Sequence, residues 1–282
     1  MMLIRPLSTH TGADIVDVDV KTLSDEQFEK IHAAWIDRCV IRFRDQHLDI
    51  DDLQRFSARF GPLEEMPQYS RLSEEARRLI PNKYVTVISN IKVDGKPIGG
   101  LGNAEASWHS DMTYNPVTPT ASILLAEETP PAGGETHFVS QFAAYDALPA
   151  ELKQRLATVS IKHDATHTSV GELRRTYEQP ASPVDAPGAI HPAIRQHTES
   201  GRKALFLGRR EWAYIPGIPL ADSEKLLDEI WSYAAPQGLI WTQQWKVGDL
   251  IIWDNRSTLH RRAEFDASHR RLMRRCQVLA KT

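Results

Sequence analysis

The stretch Trp108–Tyr114, WHSDMTY, decides how the chain is read, because it sets a histidine and a carboxylate two residues apart in a β-rich context. Strand side chains alternate between faces, so the spacing predicts that His109 and Asp111 point the same way. One imidazole and one carboxylate make two thirds of the set that holds a non-haem ferrous ion. The third ligand must then come from a distant segment, which calls for a fold that brings remote strands together.

The flanking sequence fits such a fold. From Val85 onward, short β-rich runs are separated by turn residues: VTVISN, the DGKP turn, the WHSDMTY strand, ASILLAEE, a PPAGG turn and THFVS. LIWTQQW, DLIIWDN and RRLMRRCQVL close the chain as further strands, and a hairpin is expected around Glu199-Ser200-Gly201. Helices flank and interrupt these strands. SDEQFEKIHAAWIDRC is amphipathic and opens with a Ser24/Gln27 capping box. DDLQRFSARF is stopped by Gly61-Pro62, SEEARRL starts another short helix, and ADSEKLLDEIWSYAA is helical near the end. FAAYDALPAELKQRLATV should break at Pro149 into two pieces.

The expected fold is therefore mostly β with flanking helices: a distorted double-stranded β-helix, or jelly-roll barrel, spanning residues 1–282 as one domain. Residues 166–191, rich in Pro, Ser, Gly and charge without a period, are expected to form a mobile lid. The rival is a parallel doubly wound sheet. It would need regular strand–helix alternation and a glycine-rich phosphate loop, and neither GGLGNAE nor PPAGGE has the fingerprint spacing.

Composition narrows the partners. The chain has 282 residues, 41% hydrophobic and 25% charged, with a formal net charge of -3. That balance lacks the basic excess of a nucleic-acid binder and points to small molecules instead. No run approaches the roughly 18 apolar residues of a membrane span, and the N-terminus lacks a secretory pattern. Cys39 and Cys276, the two cysteines, lie in apolar stretches as buried free thiols do, which fits a reducing cytoplasm. A homo-oligomer is compatible with this sequence.

The third ligand is found about 150 residues after the first pair, where DLIIWDNRSTLHRR carries an apolar strand ending in polar residues and His260. Three protein ligands on one face would leave positions open for a chelating co-substrate and oxygen. Taken together, WHSD, GGET with Thr136, WDNRSTLH and RRLMRR resemble the taurine and 2,4-dichlorophenoxyacetate dioxygenase family of iron(II)/2-oxoglutarate enzymes, and the likeness covers nearly the whole chain. The resemblance implies that His109, Asp111 and His260 bind Fe(II), and that Thr136 and Arg271 bind the distal carboxylate of 2-oxoglutarate, with O2 as the other co-substrate. A planar guanidinium suits that carboxylate because it engages both oxygens at once. Arg275 lies four residues on, about 13 Å along a strand at roughly 3.3 Å per residue, on the same face. In this family the second arginine meets an anionic group of the primary substrate.

The phrases ISNIKVDGK, AAYDALP, SGRKALFLG and KVGDLIIWDNR bring the chain closer to the dichlorophenoxyacetate branch. Met66 stands where the taurine enzymes place a sulfonate-binding histidine, and Glu105 where they place an asparagine, while Tyr69 is retained. Met66, Tyr69, Glu105 and Met112 are the expected substrate-contacting positions beside Arg275. The soft, apolar Met66 favours an aryl or alkyl body. The expected substrate is an aryloxyalkanoate or similar small organic anion, whose ether is cleaved after hydroxylation; a sulfonate or alkyl sulfate is the nearest alternative.

Plainer readings exist for each residue. Asp111 alone could cap a turn, His260 could sit on a solvated edge among Arg261 and Arg262, and Thr136 could be an ordinary strand threonine. Arg271 and Arg275 could belong to a surface patch with Arg270 and Arg274, but alternation predicts that one pair faces inward and the other out. Two rival classes remain: a zinc hydrolase using the same ligands with a bound water, and a non-catalytic barrel that binds an organic anion.

Overall fold

The computed structural model describes residues 2–66, 69, 74 and 82–280. The chain is mostly β, and its main strands assemble as two sheets rather than one closed ring. The larger, eight-stranded sheet runs in the order Leu3–Pro6, Ala13–Val16, Val40–Phe43, Leu250–Asp254, Ala121–Glu128, Leu272–Val278, Thr86–Ser89 and Gly100–Leu101. The smaller has four strands, Ile240–Gln243, Thr136–Ser140, Thr258–Arg262 and Ala106–His109. Pairing is antiparallel throughout the four-stranded sheet and the centre of the larger one. A doubly wound parallel sheet is thereby excluded.

Alternation along the strands builds the layers. Ile251 and Trp253 face the interior between the sheets, where they meet Phe138, Phe142 and Trp241 of the smaller sheet side. Leu250 and Ile252 face the other way, with Ile41, Phe43, Ile123 and Leu125, and bury the apolar faces of helices Asp25–Arg38 and Ile50–Ala58. Helices Gln141–Ala147, Ala150–Leu156 and Leu220–Ala234 cover the outside of the smaller sheet in the same way. Strands that are apolar on both faces, such as LIIWD, are the sequence mark of this sandwiching.

Local signals behave as their chemistry requires. Ser24 and Gln27 form a reciprocal capping box, and Cys39 ends that helix at φ 64°. Pro149 caps a new helix after Leu148 ends the previous one, which is the expected break. Strands Ile194–Gln196 and Lys203–Leu205 form the expected hairpin. Cys39 and Cys276 are both free and buried, and burial pushes each thiol up to about 11. The helix expected over SEEARRL lies outside the described residues, Glu74 excepted. No helix among the described residues is long and apolar enough to cross a membrane.

The WDNR turn is held by a buried charge cluster. Asp254, fully buried at the end of its strand, accepts from Nε2 of His197 at 2.9 Å and from Nε and Nη2 of Arg256 at 2.9 and 2.6 Å. Burial disfavours the Asp254 carboxylate, but these hydrogen bonds and the Arg256 charge hold its pKa below the usual range. A depressed folded pKa means that the stabilisation is present above the unfolded value of about 3.9 and is lost as pH falls through the folded value. Asp254→Asn is expected to lower unfolding free energy at pH 7 by about 3 kcal/mol, because it removes the buried charge that both Arg256 and His197 engage and leaves Arg256 with Glu199 alone. Denaturant titration at pH 7 and pH 3 checks this, with the gap between variant and parent narrowing at the lower pH.

Candidate metal and anion site

Strand pairing brings the two histidines together. Thr258–Arg262 runs antiparallel to Ala106–His109 with His260 opposite His109, and the ring centroids are 4.2 Å apart. The Ser107 carbonyl accepts from Nδ1 of His109 at 2.7 Å, which fixes the tautomer and leaves Nε2 with its lone pair. Burial lowers the pKa of His109 and pushes that of His260 down to about 3, so both imidazoles are neutral at neutral pH and each can offer a ring nitrogen to a metal ion.

Asp111 reaches the same place by a different route from the one the spacing predicts. The strand ends at His109, and residues 111–114 form a turn in which Met112 takes φ 52°. Strand alternation therefore does not align the pair; the turn swings the carboxylate back. Its Oδ1 lies 3.7 Å from Nε2 of His109 and 4.0 Å from Nε2 of His260, and the three ligand atoms lie within 4.8 Å of one another.

The carboxylate is aimed from behind. Ser122 donates to Oδ2 of Asp111 at 2.6 Å, while its hydroxyl oxygen accepts from Asn255 at 3.1 Å and Gln277 at 3.3 Å. Burial works against the charged form of Asp111, yet the His260 imidazole, the Arg275 guanidinium, the His109 imidazole and the Ser122 hydrogen bond hold it down to about 2. Sequence reading missed Ser122. Its signal was a lone hydroxyl in the otherwise apolar run ASILL, fully buried in the folded chain.

Arg271, Thr136 and Arg275 open on the same cavity of about 770 Å³ as the triad. Arg271 is 2% exposed, and its Nε has no hydrogen-bond partner. Among the described residues its guanidinium meets no carboxylate, and burial together with the neighbouring Arg262 charge pushes it down to about 9. Thr136 accepts from Nε1 of Trp245 at 2.9 Å, and the Arg271 guanidinium lies 5.9 Å from that indole ring. Gly133, at φ 77°, lets the PPAGG turn press close here: a Cβ would come within 2.8 Å of the Glu264 carbonyl.

The four arginines of RRLMRR divide as alternation predicts. Arg270 pairs with Glu128 at 2.7 Å and Arg274, at the cavity edge, with Glu127 at 3.0 Å. Arg275 faces inward, with Nη1 3.8 Å from Oδ1 of Asp111. Met66 and Met112 also line the cavity. Tyr69 is half-buried, its amide donating to the Met66 carbonyl at 2.8 Å. Glu105 is not brought to this group: it is exposed and paired with Arg261 at 2.8 Å, on the far side of the strand from the cavity. Its position just before Ala106–His109 places it on the opposite face from inward-pointing Ala106.

Comparison with known proteins follows the same lines. The family model described as taurine catabolism dioxygenase TauD, TfdA family matches residues 3–277. An (S)-phenoxypropionate/alpha-ketoglutarate-dioxygenase of Sphingobium herbicidovorans is 33% identical over 276 residues, covering 96% of this chain and 92% of that protein. An alpha-ketoglutarate-dependent 2,4-dichlorophenoxyacetate dioxygenase of Cupriavidus pinatubonensis is 33% identical over 287 residues, covering 99% and 98%. The crystal structure of AAD-2 in complex with Mn(II) and N-oxalylglycine superposes with a TM-score of 0.79 at 26% identity, covering 100% of this chain and 98% of that one.

Proposed function

The chain belongs to the TauD, TfdA family of dioxygenases, and we propose that it hydroxylates a small organic anion of the aryloxyalkanoate kind at the expense of 2-oxoglutarate and oxygen. The observation that carries this reading is a buried guanidinium, Arg271, that has no carboxylate partner among the described residues and shares one cavity with a two-histidine, one-aspartate cluster. The donor set suits Fe(II): two neutral imidazoles and a carboxylate, with one side open to the cavity. In this reading His109, Asp111 and His260 hold the ion. A bound ferrous ion supplies the redox chemistry that couples decarboxylation of 2-oxoglutarate to substrate hydroxylation, releasing succinate and carbon dioxide.

The protein's residues position and shield. Ser122 keeps one Asp111 oxygen occupied so that the other is presented forward. Arg271 and Thr136 take the distal carboxylate of 2-oxoglutarate, which matches a buried cation with an anion that it lacks. Arg275 meets the anionic group of the substrate, and Met66 and Met112 border its body. The segment 166–191 contributes His167 to Ser169 and Arg174 to the cavity wall, and we read it as the cover that excludes water. The two sheets are read as halves of a jelly roll. A hydroxyl placed on a carbon that bears an ether oxygen makes a hemiacetal, which collapses to a phenol and an oxoacid.

The related dioxygenases named for phenoxypropionate and 2,4-dichlorophenoxyacetate support an aryloxyalkanoate as the substrate. Succinate release measured against phenoxyacetates, phenoxypropionates, alkylsulfonates and alkyl sulfates tests this. Coupled turnover of the aryloxy acids with release of a phenol is expected. Turnover confined to sulfonates or sulfates would overturn the substrate class, and no succinate with any compound would overturn the activity.

A further inference from the structure

Four carboxylates line the main cavity: Glu64, Glu65, Asp111 and Asp164. Three are answered within the protein. Glu65 pairs with Lys83, Asp164 with Arg209 at 2.6 Å, and Asp111 accepts from Ser122 beside the two histidines. The carboxylate of Glu64 makes no hydrogen bond or ion pair among the described residues.

Glu64 is nonetheless held firmly in place. Its amide donates to the Gln277 carbonyl at 2.9 Å, next to the antiparallel bridge between Leu63 and Val278. It therefore rides on the strand that carries Arg275, and the two opposite charges face one chamber without closing on each other. Burial raises the Glu64 pKa, and the Arg275 charge only partly offsets this. Met66, Tyr84, Val85 and Leu124 line the same chamber and give it an apolar wall. A purely apolar substrate body packed there would strip the remaining water from the carboxylate and return nothing. A body carrying a donor would replace that water.

We propose that Glu64 is a specificity-determining residue that accepts a hydrogen bond from an amino or hydroxyl group on the body of the substrate. The preferred substrate is then an organic anion with a donor set apart from its anionic group. This rests on the reading of Arg275 as the partner of that anionic group. Sites built to hydrogen-bond a substrate group discriminate strongly against the analogue that lacks it, because the buried protein group is left unpaired.

The test is anaerobic calorimetric binding to the full chain loaded with ferrous ion and 2-oxoglutarate, using phenoxyacetates with a ring hydroxymethyl, aminomethyl or ethyl group. The donor-bearing compounds are expected to bind at least tenfold more tightly than the ethyl compound. Glu64→Leu should abolish or reverse that preference, and Glu64→Gln should keep part of it for the hydroxymethyl compound. Both variants should bind 2-oxoglutarate as the parent does, which also reports an intact fold. Equal binding of the three compounds by the parent, binding of none of them, or a preference that survives Glu64→Leu overturns the proposal. Failure of the oxygenase reading would show differently, as absence of succinate whatever compound binds.

Discussion

Asp111→Ala is expected to reduce succinate formation by more than 100-fold and to abolish stoichiometric retention of iron. Partners behind a metal ligand are themselves worth 10- to 100-fold in affinity or activity, so loss of the sole anionic ligand must cost more. The carboxylate is the only member of the triad that offers negative charge, since both imidazoles are neutral at pH 7. Iron measured after anaerobic dialysis, and the visible band that forms when ferrous ion and 2-oxoglutarate are added without oxygen, read the effect directly. Ser122→Ala should fall between parent and Asp111→Ala, because it frees the rear oxygen without removing the charge. Retention of iron and band by Asp111→Ala would sink the assignment of the triad.

Arg271→Met is expected to raise the 2-oxoglutarate requirement by at least roughly 30-fold, corresponding to about 2 kcal/mol for truncating one partner of a buried, hydrogen-bonded charge pair. The guanidinium already bears the cost of burial with no carboxylate among the described residues to offset it, so the compensating interaction is expected from the ligand. Arg271→Lys should recover only part of the loss, because an ammonium cannot match both carboxylate oxygens in a fixed plane. Arg275→Ala should show the reverse pattern, raising the requirement for the organic substrate while changing that for 2-oxoglutarate little. Steady-state titration of each compound at saturation of the other separates the two. Equal damage to both by either variant would refute the division of labour between the arginines.

Much of this site was legible from residue types and order. His260 was singled out because a polar strand end following LIIWD could close a ligand set begun by WHSD, and the strand register sets His260 opposite His109, beside Asp111. The inward turn of Arg271 and Arg275 followed from period-two alternation; Glu128 and Glu127 claim Arg270 and Arg274, although Arg274 also borders the cavity. Glu105 shows the limit of transfer by position. It stands in the right place along the chain but on the wrong face of the strand, where Arg261 claims it.

The sequence by itself determined the class of chemistry, since ligand identity, the paired arginines and the apolar strands are local properties written in residue type and spacing. It also determined where helices begin and break, because caps and prolines act over a few residues. Only the tertiary structure decided how the ligands converge. WHSDMTY is a strand that stops at His109 and a turn that carries Asp111, a choice made by Met112 at positive φ and by the Ser122 hydroxyl from another strand. Which carboxylates are answered and which, like Glu64, face the chamber without a partner among the described residues is likewise a matter of contacts between segments far apart in sequence, and no spacing rule reaches across that distance.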